Sequence, residues 1–302
     1  MRDSSILVTG ATGMVALPIA TAFADQSLGN EVIAAARFTN PDARDQLSAA
    51  GVHCVSIDLA TGEFSGLPDH VDVVLNFAVA KQAGFDEALT ANAESVGLLM
   101  ARFADARAFF HCSTTGVYES KEGPLAETDP LGDNHRKVLP TYSISKIAAE
   151  AVVRTMSRHL GLPATIARLN VPYGDHGGWP AIHLEQILAG NPIGVHPTSP
   201  SVYNPIHTDD LVASIPALLD AAAVPATIVN WGGAQPVRLR EWCDHIAGLT
   251  GRQATYVDNP AALESVEVDT ARFDSLTGGT TVDWREGMRR MVMARHPEAL
   301  SS

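Results

Sequence analysis

The chain has 302 residues, 46 % of them hydrophobic and 18 % charged, with a formal net charge of -13. That composition excludes a disordered chain, and the length accommodates one large α/β unit or such a domain carrying a smaller lobe. The acidic balance repels phosphate backbones and anionic lipid, so no nucleic acid and no membrane are expected as partners, whereas a small anionic cofactor held locally at a helix N-terminus is compatible with it.

Short continuous apolar runs recur at 6–9, 31–36, 52–57, 71–76, 108–113 and 164–169. Runs of this kind read as parallel strands buried on both faces. Stretches with helical spacing, such as 85–105 and 143–159, lie between them, and the alternation predicts a doubly wound parallel sheet of the Rossmann type. After residue 170 the pattern changes. Pro and Gly become dense from 172 to 200, a strand-like run follows at 227–230, and helices are expected near 239–250 and 285–294. The expected division is a nucleotide-binding domain of 1–170 plus about 206–234, and a smaller substrate-binding lobe of about 171–205 and 235–302.

Cys54, Cys112 and Cys243 show no paired spacing. With no secretory leader pattern in the first residues and no apolar run long enough to span a bilayer, reduced thiols and a cytoplasmic location are expected. The 11 histidines are scattered without HxH or HxxxH spacing, so no metal site is expected. His207, just before Asp209 and Asp210, is expected to fix a helix start.

The first strand runs directly into Gly10-Ala11-Thr12-Gly13-Met14-Val15-Ala16. At that position Gly10 permits a tight turn, Gly13 lets a pyrophosphate approach the backbone, and the following helix supplies free N–H groups. The second strand ends at Ala36-Arg37. An acidic residue there would accept from the adenosine ribose hydroxyls, whereas a guanidinium pairs with a 2′-phosphate, so the expected cofactor is NADP, with NAD as second choice. Asp58 and Leu59, after the third strand, are placed to meet the adenine.

Tyr142-Ser143-Ile144-Ser145-Lys146 sets Tyr142 and Lys146 four apart on one helix face. A nearby ammonium favours the phenolate, the direction in which a tyrosine must be tuned to move protons near neutrality. Thr114, at the end of the 108–113 run, is placed to hydrogen-bond a reacting oxygen and aim it at Tyr142. Asn92, on the preceding helix, is a further member of a proton-relay scaffold or simply a polar helix residue.

Together these segments resemble the extended short-chain dehydrogenase/reductase family, the NAD-dependent epimerase/dehydratase type. The resemblance rests on TGATGMV (9–15), DL (58–59), NFA (76–78), STTGVY (113–118), YSISK (142–146), RLNVPYG (168–174), PIHTDDL (205–211) and NWGGAQPVRLREW (230–242). It implies that Gly10, Thr12, Gly13, Met14 and Val15 bind cofactor phosphates, that Phe77, Ala78 and Val79 line the cofactor, and that Asn170 and Val171 touch its nicotinamide end. Thr114, Tyr142 and Lys146 become the catalytic three, with Tyr142 and Lys146 also against the cofactor, and Thr114, Thr115, Trp179 and Tyr203 face a small-molecule substrate. A homodimer is implied by the resemblance alone. Two departures stand out. Family dehydratases carry an acidic pair where this chain has Thr115 and Gly116, which disfavours water elimination. Sugar-nucleotide enzymes of the family often hold an Arg where this chain has Tyr203-Asn204-Pro205.

The leading expectation is therefore an NAD(P)-dependent oxidoreductase that interconverts a secondary alcohol and a carbonyl. The alternative is a sugar or sugar-nucleotide epimerase with a retained NAD. A cofactor-binding regulator without chemistry is disfavoured, because both Tyr142 and Lys146 are present.

Overall fold

The computed structural model describes residues 1–81 and 84–300. They divide into two compact units. The first comprises Met1–Thr114, Thr141–Arg168 and Ser214–Val229; the second comprises Thr115–Pro140, Leu169–Ala213 and Asn230–Ser302.

The first unit is built on β1 (Ser5–Thr9), β2 (Glu31–Ala36), β3 (His53–Ser56), β4 (Val73–Asn76), β5 (Ala108–Thr114) and β6 (Ala164–Leu169). With the strand Thr227–Trp231 they form a seven-stranded sheet in the order Thr227–Trp231, β6, β5, β4, β1, β2, β3. The pairs β1–β2, β1–β4, β2–β3 and β4–β5 are parallel. The reversal of direction of travel at β1 is the switch point where such sheets open a crevice at their carboxyl ends. Ile6, Leu7, Val8, Val73, Val74 and Leu75 are wholly buried, as continuous apolar runs covered on both faces require.

The helices of this unit are α1 (Ala16–Phe23), α2 (Pro41–Ala49), α3 (Phe85–Leu89), α4 (Ser95–Arg102) and α5 (Tyr142–Leu160). A π-helical turn at Thr90–Glu94 joins α3 to α4, a feature frequent at functional sites. Helix α4 packs on α5, and Gly97 permits the close approach, since a Cβ there would stand 3.0 Å from Val152 Cγ1. Helix α5 closes on Gly161 in the left-handed conformation, with Arg158 and His159 in its last turn against the negative end of the dipole.

The second unit carries α6 (Trp179–Ala189), most of the first half of α7 (Thr208–Asp220), α8 (Leu239–Leu249), α9 (Ala271–Thr277) and α10 (Trp284–Arg295). Helices α6, α8 and α10 pack together over a core that includes Trp242, Met288 and Met291. His207 fixes the start of α7 through its Nδ1, which accepts from the Asp209 amide at 3.1 Å.

The division differs from the sequence reading at 115–140, 169–170, 206–213 and 230–234, all of which fall in the second unit. The reason is long-range pairing. Tyr118 donates to Asn230 Oδ1 at 2.5 Å, Asn230 Nδ2 donates to the Leu125 carbonyl at 2.8 Å, and the Leu125 amide donates to the Glu267 carbonyl at 2.9 Å. No local pattern carries such partners. Among the described residues no helix is long and apolar enough to cross a membrane.

Candidate active site

The glycine loop joins β1 to α1. Gly10 has φ +64°, and a Cβ there would lie 2.7 Å from both the Cα and the amide nitrogen of Ala78, so only glycine fits. Its amide donates to the Ala35 carbonyl and its carbonyl accepts from Gly13, each at 2.9 Å. Gly13 is open by comparison, its nearest neighbour being the Gly10 carbonyl at 3.2 Å from a built Cβ. Helix α1 has no side-chain cap and no acidic residue in its first turn, which leaves its leading N–H groups and positive dipole end available to an anion. Thr12, Met14 and Val15 lie in this loop, as the sequence placed them.

Around it stand Phe77, buried and tilted against Phe110 at 5.6 Å, and Ala78, whose amide donates to Thr9 Oγ1 at 3.3 Å. Val79 is exposed. Asp58 is also exposed, and it caps a short 3-10 turn by accepting from the Ala60 amide at 3.1 Å. Leu59 faces the core. Arg37 is exposed after β2, followed by Phe38 at φ +48°, over whose ring the Arg44 guanidinium stands at 5.4 Å. Among the described residues neither Arg37 nor Arg44 forms an ion pair, so two guanidinium groups remain at the place where an acidic residue is missing.

Tyr142 opens α5, and Thr114 ends β5. The structure brings them together in a side-chain hydrogen bond. Desolvation pushes the Tyr142 phenol up to about 12, and the hydrogen bond from Thr114 pulls against that rise. The sequence reading assigned the lowering to the Lys146 ammonium. The structure gives it to Thr114, because Lys146 Nζ is engaged elsewhere: it donates to the Cys112 carbonyl at 2.7 Å and sits 3.3 Å from His111 Nε2. Lys146 is 2 % exposed, and burial pulls its ammonium down to about 8.

Asn92, within the π-helical turn, is wholly buried and ties three elements together. Its Oδ1 accepts from the Ala80 amide at 2.7 Å, and its Nδ2 donates to the Ala80 carbonyl at 2.8 Å and to Ser145 Oγ at 2.9 Å. It thereby holds the loop after β4 to the helix of Tyr142 and Lys146. Sequence reasoning missed the ion pair one turn further along. Glu150 accepts from Arg168 Nη2 at 2.7 Å and Nε at 3.0 Å, and from Ser113 Oγ at 2.5 Å, all buried. The available signal was an acidic residue four positions after Lys146, on the same helix face.

Five further predicted residues lie in the second unit. Asn170 uses its whole hydrogen-bonding capacity: Nδ2 donates to Thr115 Oγ1 at 3.2 Å and to the Val266 carbonyl at 2.8 Å, while Oδ1 accepts from the Val171 and Asn204 amides at 2.9 and 3.0 Å. Its amide has nothing left to offer a nicotinamide. Thr115 and Val171 are buried beside it. The Tyr203 hydroxyl is shared between the carbonyls of Leu263 and Glu264, at 3.0 and 2.8 Å, and its ring is in the core. Trp179 is half-buried, edge-on to Tyr203 at 5.0 Å and to Trp242 at 5.7 Å. Gly116 packs against the His135 imidazole, which a Cβ would approach to 2.7 Å, so no acidic side chain fits there without moving the histidine.

The chain belongs to the NAD dependent epimerase/dehydratase family, whose model matches residues 6–232. No curated protein matches it. Among solved structures it is similar to the UDP-glucuronic acid 4-epimerase from Bacillus cereus in complex with UDP-glucuronic acid and NAD, with a TM-score of 0.82, 20 % identity, and 95 % of this chain and 97 % of that chain covered. It is also similar to MoeE5 in complex with UDP-glucuronic acid and NAD (0.81, 20 %, 96 % and 98 %) and to a double mutant of DesIV, the dTDP-glucose 4,6-dehydratase from Streptomyces venezuelae (0.80, 23 %, 97 % and 96 %). At these identities the likeness is one of fold.

Proposed function

We propose that the chain is an NAD(P)-dependent oxidoreductase of the short-chain dehydrogenase/reductase type, interconverting a secondary alcohol and a carbonyl on a small molecule. The observation that carries this reading is the hydrogen bond between Thr114 and Tyr142 at the carboxyl end of the sheet, with Lys146 one turn away. The glycine loop fits the cofactor: the Cβ-free turn at Gly10 and the uncapped N-terminus of α1 form a cradle for a pyrophosphate. When bound, the nicotinamide supplies or accepts the hydride.

The chain's own part is to move the proton. Tyr142 Oη gives it to a forming alkoxide or takes it from an alcohol, and its high proton affinity suits the donor direction. Thr114 orients the reacting oxygen, and Gly10, Thr12, Gly13, Met14 and Val15 hold the phosphates. Arg37 offers the guanidinium that a 2′-phosphate needs, so NADP is the proposed cofactor and NAD the second choice. The second unit is proposed to choose the substrate, with Trp179 as its aromatic contact. Water elimination is not proposed, since neither Thr115 nor Gly116 titrates. A homodimer and a cytoplasmic location belong to the same reading.

Membership of an epimerase/dehydratase family favours a second reading, the oxidation and re-reduction of one sugar carbon with a retained cofactor. Assay of the purified chain on secondary alcohols and carbonyls, with either dinucleotide, separates them. Net oxidation or reduction that Tyr142→Phe abolishes supports the first. Stereochemical inversion without net redox change supports the second. Turnover by Tyr142→Phe equal to that of the native chain refutes both.

A further inference from the structure

Thr9 and Asn76 are the last residues of β1 and β4 and His111 lies midway along β5; the three are register partners on adjacent parallel strands, Thr9 opposite Asn76 and Asn76 opposite His111. Side chains in register share a face, and these three touch: Thr9 Oγ1 to Asn76 Oδ1 at 2.6 Å, and Asn76 Nδ2 to His111 Nδ1 at 3.0 Å. All three are buried, at 0 %, 2 % and 0 % exposure. Lys146 Nζ stands at the open end of the row, 3.3 Å from His111 Nε2. The other end is pinned, because the Ala78 amide donates to Thr9 Oγ1 at 3.3 Å.

Hydrogen accounting gives the row a direction. Thr9 Oγ1 receives the Ala78 N–H and turns its own proton to Asn76 Oδ1. Asn76 then presents its NH₂ to His111, so His111 Nδ1 is the acceptor and the ring proton sits on Nε2. That N–H points at Lys146.

We infer that Thr9, Asn76 and His111 form a polarised hydrogen-bond chain that offers Lys146 a donor instead of a lone pair, making Lys146 an amine/ammonium pair instead of a fixed cation. His111 is thus a positioning residue that acts through Lys146. An ammonium facing an N–H is a donor–donor conflict, whereas a neutral amine accepts from His111 Nε2 and still donates to the Cys112 carbonyl. Burial works in the same direction on both partners, pulling His111 far below the usual histidine range and Lys146 down. The other groups facing Lys146 are the Cys112 thiol on β5, Glu150 one turn along α5, and Lys81 after β4. Cys112 and Glu150 favour the ammonium, and Lys81 opposes it.

This inference deepens the role given to Lys146 above, and its test reads the groups directly, apart from turnover. The full chain, with ¹⁵N-labelled histidine and lysine, is followed by NMR across pH. The expected result is His111 as the Nε2–H tautomer throughout, with Lys146 titrating well below an ordinary lysine. Asn76→Asp reverses the row by accepting from His111 Nδ1–H, which makes Nε2 an acceptor, and Lys146 should then titrate higher by roughly one pH unit or more. Thr9→Val unpins the row and should give a smaller upward shift, which keeps the test open if Asn76→Asp does not fold. An Nδ1–H tautomer in the native chain, or a Lys146 titration unmoved in the folded variants, overturns the inference. Failure of the Tyr142→Phe test would refute the proposed activity and leave these titrations standing.

Discussion

Replacing Gly10 by alanine tests whether the first turn is both a structural necessity and a phosphate cradle. The new Cβ would sit at φ +64°, 2.7 Å from the Ala78 Cα and amide nitrogen and 2.8 Å from the Phe77 carbonyl carbon. An L-residue in the left-handed region costs about 1–2 kcal/mol. The clash is with backbone on a neighbouring strand end, which cannot rotate away, and overpacking of that kind costs about 1–3 kcal/mol. A central value of about 3 kcal/mol corresponds to a melting temperature lower by roughly 6–12 °C for a unit of this size. Gly13→Ala is the control: among the described residues the nearest atom to its built Cβ is the Gly10 carbonyl oxygen at 3.2 Å. It should melt near the native chain yet lose dinucleotide affinity, because its methyl would stand where the phosphates are proposed to approach. Circular dichroism melts and fluorescence titrations read the two effects. A Gly10→Ala chain that melts with the native one, or a Gly13→Ala chain that binds dinucleotide as tightly, would refute the reasoning.

Tyr142→Phe should lower turnover by about 10²–10⁴-fold, the usual worth of a placed acid/base, with dinucleotide affinity unchanged in a parallel titration. Arg37→Ala should weaken NADPH binding by roughly 10–100-fold, the loss of one charge-assisted pair, and leave NADH binding as it was. Glu150→Ala strands the Arg168 guanidinium in the core and should cost about 3–5 kcal/mol in chemical denaturation, far more than an exposed ion pair such as Arg289–Glu286. Lys146 is pulled from 10.5 down to about 8, so between those values the unfolded chain holds the extra proton and stability rises with pH. Below about pH 8 both states are protonated and the penalty is constant. Lys146→Met should therefore remove a pH-dependent term on the order of 3 kcal/mol across that window, read as the difference between denaturation curves at the two ends.

Local chemistry made much of the first unit legible. The glycine loop, the six apolar runs and the Tyr142/Lys146 spacing each depend on residues near one another in the chain, and each appears where the pattern placed it. The Thr9–Asn76–His111 row was hidden because its members are separated by whole strand–helix units and meet only through strand register. A histidine directly after the apolar start of the strand AFFHCST was its one visible trace. Asn170, for which the resemblance implied a contact with the nicotinamide end, has a side chain whose four hydrogen bonds go to protein partners up to 96 positions away. The 115–140 segment was misassigned for the same reason, since its anchors at Asn230 and Glu267 lie far along the chain.

The account rests on a nicotinamide dinucleotide occupying the glycine loop of the first unit. The direct measurement is to denature the purified chain, assay the supernatant for released nicotinamide, and titrate the cofactor-free protein with NADPH and NADH by fluorescence. Saturable binding that Gly13→Ala weakens, tighter for NADPH and sensitive to Arg37→Ala, is the predicted result, with little dinucleotide released from the native sample. A chain that releases no dinucleotide and binds neither form would contradict the account at its root.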